Sequence, residues 1–120
     1  MPTQHRKHLP PIQALAFLFA FGAATAGIHS AALAADAAAG KKEAKKCQAC
    51  HGIDGISKQA HVPHIAGESD IYLIKQLKAF RSGERQDPQM SVMAKPLSDE
   101  DIANLAAWYS SIKITVTLPD

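Results

Sequence analysis

The sequence predicts an all-α domain of three to four helices. Three stretches, residues 36–46, 69–82 and 98–112, combine good helix formers with capping residues or an apolar stripe at helical spacing. Between them the chain is punctuated by Gly and Pro, and almost nothing reads as strand. A third observation says what the helices pack around. The run Cys47-Gln48-Ala49-Cys50-His51 consumes both cysteines of the chain.

Cys-x-x-Cys-His is the attachment signature of a c-type haem. Two thiols three positions apart can each add to one vinyl group of the same porphyrin, and the imidazole that follows is then held against the iron as its proximal ligand. No thiol remains for a disulfide. One covalent haem c is therefore expected, with Cys47 and Cys50 as the attachment residues and His51 as the iron ligand. A Cys₂His₂ zinc site can also be written from Cys47, Cys50, His61 and His64. Its histidine pair, however, has two residues between instead of three to five, and it leaves His51 without a use. A dithiol oxidoreductase needs a βαβ scaffold, which the helical pattern does not offer.

The 120 residues argue for one domain behind a targeting segment. His5, Arg6, Lys7 and His8 form a basic start, Ile12 to Ala26 is apolar and uncharged, and Ala32-Leu33-Ala34 gives a small-x-small cleavage pattern. Residues 1–34 are read as a signal peptide and residues 35–120 as the mature domain. The apolar segment is short for a membrane span of about 20 residues. Secretion into the periplasm is expected, with no stable membrane insertion after cleavage. Loss of Arg6 and Lys7 from the 13 Lys and Arg leaves as many basic as acidic side chains, there being 11 Asp and Glu. A neutral domain gives no footing for nucleic-acid binding. A chain this short is also marginal for a core of its own, which a bound porphyrin would enlarge.

Each element has a local cause. Asp36 can cap the first helix, whose Ala37-Ala38-Ala39, Lys41, Lys42, Glu43 and Ala44 are good formers; Gly40 among them costs about 1 kcal/mol relative to Ala, unless another helix approaches there. Residues 52–68 read as loop, with Gly52, Gly55, Pro63 and Gly67 at short intervals. Ser69 or Asp70 caps the next helix, in which Ile71, Leu73, Ile74, Leu77 and Phe80 form the stripe and Gly83 the C-terminal stop. Residues 84–97 read as irregular, with Pro88 and Pro96, and hold Met90 and Met93. Ser98 and Asp101 make a capping box with Asp for the usual Glu, and Ile102, Leu105, Ala106, Tyr109 and Ile112 mark the buried side of the last helix. Ile114-Thr115-Val116-Thr117 ends it as an extended tail.

This order of parts resembles the class I c-type cytochromes, and most of all the small bacterial monohaem forms and one half of the periplasmic di-haem forms. The likeness covers roughly residues 36–112. It rests on Cys47-Gln48-Ala49-Cys50-His51-Gly52, Pro63-His64-Ile65-Ala66-Gly67, Tyr72 with Lys75-Gln76-Leu77, and Met90 through Pro96-Leu97-Ser98-Asp99. The resemblance implies that Met90 is the distal iron ligand, with Met93 as its competitor on the same loop. It implies that the Pro63 carbonyl orients His51, and that Gly40 is the glycine where first and last helices cross. The chain departs from the pattern at Trp108-Tyr109, where smaller aromatics are common, and at His64, where a lysine is.

A haem with His and Met ligands has no open position, so the expected function is one-electron transfer and not enzymatic catalysis. The expected partners are redox proteins, a donor and an acceptor, with the exposed Lys41, Lys42, Lys45 and Lys46 as candidates for steering them. The alternatives are an electron-delivering subunit of a larger oxidoreductase complex, or an open-site haem enzyme or gas binder.

Overall fold

The structure is a computed structural model that describes residues 34–120. The signal peptide expected at residues 1–34 lies, but for its last residue, outside the described residues. Five α-helices and one 3₁₀ turn follow: α1 Ala37–Glu43, the 3₁₀ turn Ala44–Lys46, α2 Gln48–His51, α3 Asp70–Ser82, α4 Met90–Ala94 and α5 Asp99–Ser111. No strand occurs among the described residues. The all-α expectation holds, but the count of three to four helices was low.

The first helix begins where Asp36 caps it, its carboxylate accepting from the Ala38 and Ala39 N–H groups at 2.7 and 3.2 Å. The Asp36 N–H itself donates to Asn104 Oδ1 of α5 at 2.7 Å, which ties the start of one helix to the middle of the other. Gly40 is the crossing point. A Cβ there would overlap the Asn104 carbonyl and lie 3.0 Å from Trp108 Cβ. The glycine that propensity penalises is thus the residue that lets α1 and α5 touch.

The last helix opens with the anticipated capping box. Ser98 Oγ accepts from the Asp101 N–H at 3.0 Å, and Asp101 Oδ2 accepts from the Ser98 N–H at 2.9 Å. These bonds hold the Asp101 carboxyl below its usual range, the Ser98 hydroxyl first and its N–H second. Nearby, Arg81 of α3 donates to the Leu97 carbonyl at 2.9 Å and to Asp99 at 2.5 Å, joining α3 to the base of α5.

On α3, Ser69 caps the start by accepting from the Tyr72 N–H at 3.2 Å, and Gly83 closes the end in a left-handed conformation. Leu73 and Phe80 are buried, with Ile74 and Leu77 half-buried beside them. Ile71 is not part of this face; it is 77% exposed. At 100° per residue Leu73, Ile74, Leu77 and Phe80 share one half of the helix, whereas Ile71 falls beyond its edge. Including it in the stripe was a mistake of register.

The segment expected to be irregular, residues 84–97, contains α4. Asp87 accepts from the Gln89 and Met90 N–H groups at 2.9 and 2.8 Å, and the Ser91 hydroxyl accepts the Asp87 N–H at 3.1 Å. Pro88 therefore stands in the turn that leads into α4, where its missing N–H costs nothing. After α5, residues 113–120 form no regular element and are exposed.

The core is small. It centres on Ala44, Leu73, Leu105, Ala106 and Tyr109, with Cys47, Ile53, Ile65, Leu77 and Leu97 packed against it. Three of these five central members are alanine or tyrosine, and Ile102 is the one large side chain fully buried among the described residues.

Two outcomes test these packing arguments. Gly40→Ala should cost about 1–3 kcal/mol in denaturant unfolding, because overpacking against a backbone carbonyl outweighs the gain of about 1 kcal/mol in helix propensity. A neutral or stabilising change would refute the crossing. The Asp101 cap contributes above the ordinary carboxyl pKa and is lost as pH falls through the lowered one. Asp101→Asn should therefore differ most from the parent near neutrality, and the gap should close below about pH 4. A gap constant down to pH 2 would contradict it.

Candidate functional site

The chain runs almost without a break from α1 through the 3₁₀ turn into α2. The His51 N–H donates to the Cys47 carbonyl at 3.0 Å and the Cys50 N–H to the same carbonyl at 3.2 Å. Residues 47–51 thus form one helical turn. Positions i, i+3 and i+4 share a face of such a turn, so Cys47, Cys50 and His51 are brought to the same side. The sequence ended its first helix at residue 46; the structure carries the helical path through the motif itself.

His51 is buried, at 8% exposure. Its Nδ1 lies 3.1 Å from the Pro63 carbonyl oxygen. A carbonyl can only accept, so Nδ1 carries the proton and Nε2 keeps its lone pair. This is the tautomer a metal-binding imidazole needs, fixed by a partner outside the metal's own shell. Both cysteines are unbridged and half-buried. Burial pushes the Cys47 thiol above its ordinary pKa, and Lys46 offsets this only in part. A thiol that burial holds protonated is poorly suited to disulfide exchange. The helical scaffold and the raised thiol both speak against the oxidoreductase reading.

Loop 52–69 carries Pro63 and is pinned at three places. The Gly55 carbonyl accepts from the Ile65 and Ala66 N–H groups at 2.8 and 3.1 Å, and the Gly67 N–H donates to the Tyr109 carbonyl at 2.8 Å. Gly55 has φ +73°, and a Cβ would sit 2.6 Å from the Ala66 nitrogen, so only glycine closes the loop here. Gln59 Nε2 donates to the Ala49 carbonyl at 3.1 Å, holding the loop against α2.

His64 is a loop residue, as anticipated. Its Nδ1 accepts the Ser57 N–H at 2.9 Å. With that nitrogen engaged, and with no group of three or more His, Cys, Asp or Glu placed to hold a metal ion among the described residues, the Cys₂His₂ arrangement is not formed. Met90 and Met93 lie on α4, and Met90 is half-buried while Met93 is 41% exposed.

Three residues of the site's surroundings escaped the sequence. Asn104 carries no signal in the sequence, yet it is buried and accepts from the Asp36 N–H. Trp108 Nε1 donates to the Ile53 carbonyl at 3.0 Å, and Tyr109 Oη donates to the Gly52 carbonyl at 3.2 Å. A donor-bearing aromatic on a buried stripe implies a partner, but not which one.

The family model for cytochrome c matches residues 37–113. Cytochrome c-554(548) of Halomonas halodenitrificans is 47% identical over 81 residues, 65% of this chain and 98% of that protein. The thiosulfate dehydrogenase electron acceptor of Thiomonas intermedia is 43% identical over 91 residues, 75% of this chain and 42% of that protein. The crystal structure of reduced recombinant cytochrome c4 from Pseudomonas stutzeri superposes with a TM-score of 0.65 at 38% identity, covering 72% of this chain and 50% of that one. The chain spans about half the length of the curated relatives named cytochrome c4 that it matches. The chain belongs to the cytochrome c family.

Its cofactor is one covalent haem c on the Cys47-x-x-Cys50-His51 motif, and the residues present fit that group. Two thiols share a helical face, and beside them is an imidazole whose free nitrogen is fixed by Pro63. With haem loaded, the denatured chain should show no titratable thiol, and pigment should stay with protein in acidified acetone. One reactive thiol per chain would mean a single attachment.

Proposed function

We propose that the chain is a one-electron carrier of the periplasm, with Cys47 and Cys50 joined to haem c and His51 and Met90 as the iron's ligands. On this reading residues 1–34 are removed on export, and residues 35–120 are the working domain. The observation that carries the proposal is the His51–Pro63 bond, which leaves a buried imidazole with one lone pair and one orientation.

Haem, when bound, supplies a ferrous–ferric couple. The chain's own residues decide how that couple is used. His51 offers Nε2 as one ligand. Met90 offers a neutral, soft thioether as the other, which favours the reduced state and raises the potential. Met90 is favoured over Met93 by its burial, and by the bond that holds its N–H to Asp87 at 2.8 Å. Two strong protein ligands leave no position for a substrate, which supports a carrier over an enzyme.

Docking to redox partners is expected to be brief. Lys42 and Lys45 are exposed on the first helical stretch, while Lys46 is paired with Glu43 at 2.5 Å and Lys41 lies over the Trp108 ring at 5.0 Å. Lys42 and Lys45 are thus the better candidates for steering an acidic partner. The relative named for accepting electrons from thiosulfate dehydrogenase supports transfer between proteins. The half-length match to cytochrome c4 relatives also favours a second reading, in which this domain delivers electrons within a larger complex. Crosslinking followed by co-purification separates the two. On location, no helix among the described residues is long and apolar enough to cross a membrane.

Met90→Ala should lower the reduction potential and abolish the weak long-wavelength Met–iron absorption band. The ferrous variant should bind carbon monoxide rapidly where the parent does not. An unchanged band would move the role to Met93.

A further inference from the structure

Trp108 and Tyr109 are adjacent on α5, and both send their polar ends to the same place. Tyr109 Oη reaches the Gly52 carbonyl and Trp108 Nε1 the Ile53 carbonyl, across 57 and 55 residues of sequence. These are the first two carbonyls after His51. The chain leaves α2 at Gly52 with φ +76° and ψ 151°, so neither carbonyl continues a helical ladder; the Gly52 carbonyl has one long local bond, from the Gly55 N–H at 3.3 Å, and takes the Tyr109 hydroxyl as a second donor, while the Ile53 carbonyl relies on Trp108. Tyr109 is 3% exposed, and burial is the main cause that pushes its hydroxyl above the ordinary phenol range. It stays a donor.

Tyr109 meets the loop again at its far end. The Tyr109 carbonyl accepts the Gly67 N–H at 2.8 Å. Tyr109 therefore fixes both the departure of loop 52–69 from α2 and its return toward α3. Between those points the Gly55 carbonyl, bonded to the Ile65 and Ala66 N–H groups, draws the loop shut. Pro63 sits inside this closed path, two residues before Ile65. Its carbonyl has no side chain to aim it. Its position over His51 Nδ1 is set by where the loop is anchored.

We infer that Trp108 and Tyr109 are positioning residues for the His51 imidazole: they hold the backbone on its own side and, through the loop, the Pro63 carbonyl on the other. The inference rests on the reading of His51 as an iron ligand. It assigns to a dipeptide at the opposite end of the chain the task of keeping that ligand's Nδ1–H bonded and its ring at one angle.

Tyr109→Phe removes one hydroxyl and little volume, and Trp108→Phe removes the indole donor. Ile102→Val, buried on the same helix but bonded to nothing in the loop, is the control for plain loss of stability. All are made in the full chain and studied with haem loaded, in the ferrous state. Three quantities are read: solvent exchange of the His51 ring Nδ1 proton by NMR, the reduction potential, and the melting temperature. Tyr109→Phe should speed that exchange about fivefold to tenfold, as expected for weakening a bond worth about 1 kcal/mol, and should shift the potential. Trp108→Phe should act in the same direction. Ile102→Val should lower the melting temperature and leave the other two unchanged. Should Tyr109→Phe fail to accumulate as pigmented protein, Trp108→Phe carries the test. Exchange and potential like the parent's in the aromatic variants, with only the melting temperature reduced, would overturn the inference. A parent protein whose His51 ring carries its proton on Nε2 would instead overturn the ligand reading beneath it.

Discussion

A single hydrogen bond, from His51 Nδ1 to the Pro63 carbonyl at 3.1 Å, gives the rest of the molecule its purpose. An unrestrained imidazole has two tautomers and a rotating ring. This bond selects one tautomer and one ring plane, and leaves the other nitrogen with a directed lone pair. It spans twelve residues and joins a helical turn to a loop. Most of the remaining structure can be understood as the means of holding those two pieces at that separation.

Helices α1 and α5 supply the frame. Their crossing at Gly40 and Asn104 brings the cysteine-bearing turn against the last helix, and α3 is fastened to the same helix through Arg81, Leu97 and Asp99. The apolar core between them is thin, and alanines make up much of it. Backbone proximity and hydrogen bonds over long sequence separations therefore do work that side-chain volume does in larger domains. A chain of this size gains from a covalently held porphyrin twice: as its redox group, and as apolar surface to fold around.

Much of this was legible in the sequence where one residue type has one physical use. Cys-x-x-Cys-His named the cofactor because no other chemistry needs that order. The Ser98–Asp101 capping box and Gly83 gave helix ends within a residue. Ile71 was misjudged, since an apolar residue one step off a stripe looks like a member until burial is known. Helix α4 was missed because residues 84–97, with two prolines, read as irregular, although the Asp87 side chain closes the turn that leads into a helix. The hydrogen bonds of Asn104, Trp108 and Tyr109 were out of reach for another reason. Each joins residues more than fifty positions apart, and helical periodicity carries no information at that range. Pro63 was found only through family resemblance, for the same cause.

On the proposed reading, His51, oriented by Pro63, and Met90 together hold the iron. NMR of the ferrous, haem-loaded protein with ¹⁵N-histidine and ¹³C-methyl-methionine tests this most directly. The prediction is a His51 ring protonated at Nδ1 and bare at Nε2, together with one methionine methyl, that of Met90, moved far upfield by the porphyrin ring current. A His51 ring protonated at Nε2, or an unshifted Met90 methyl, would contradict it.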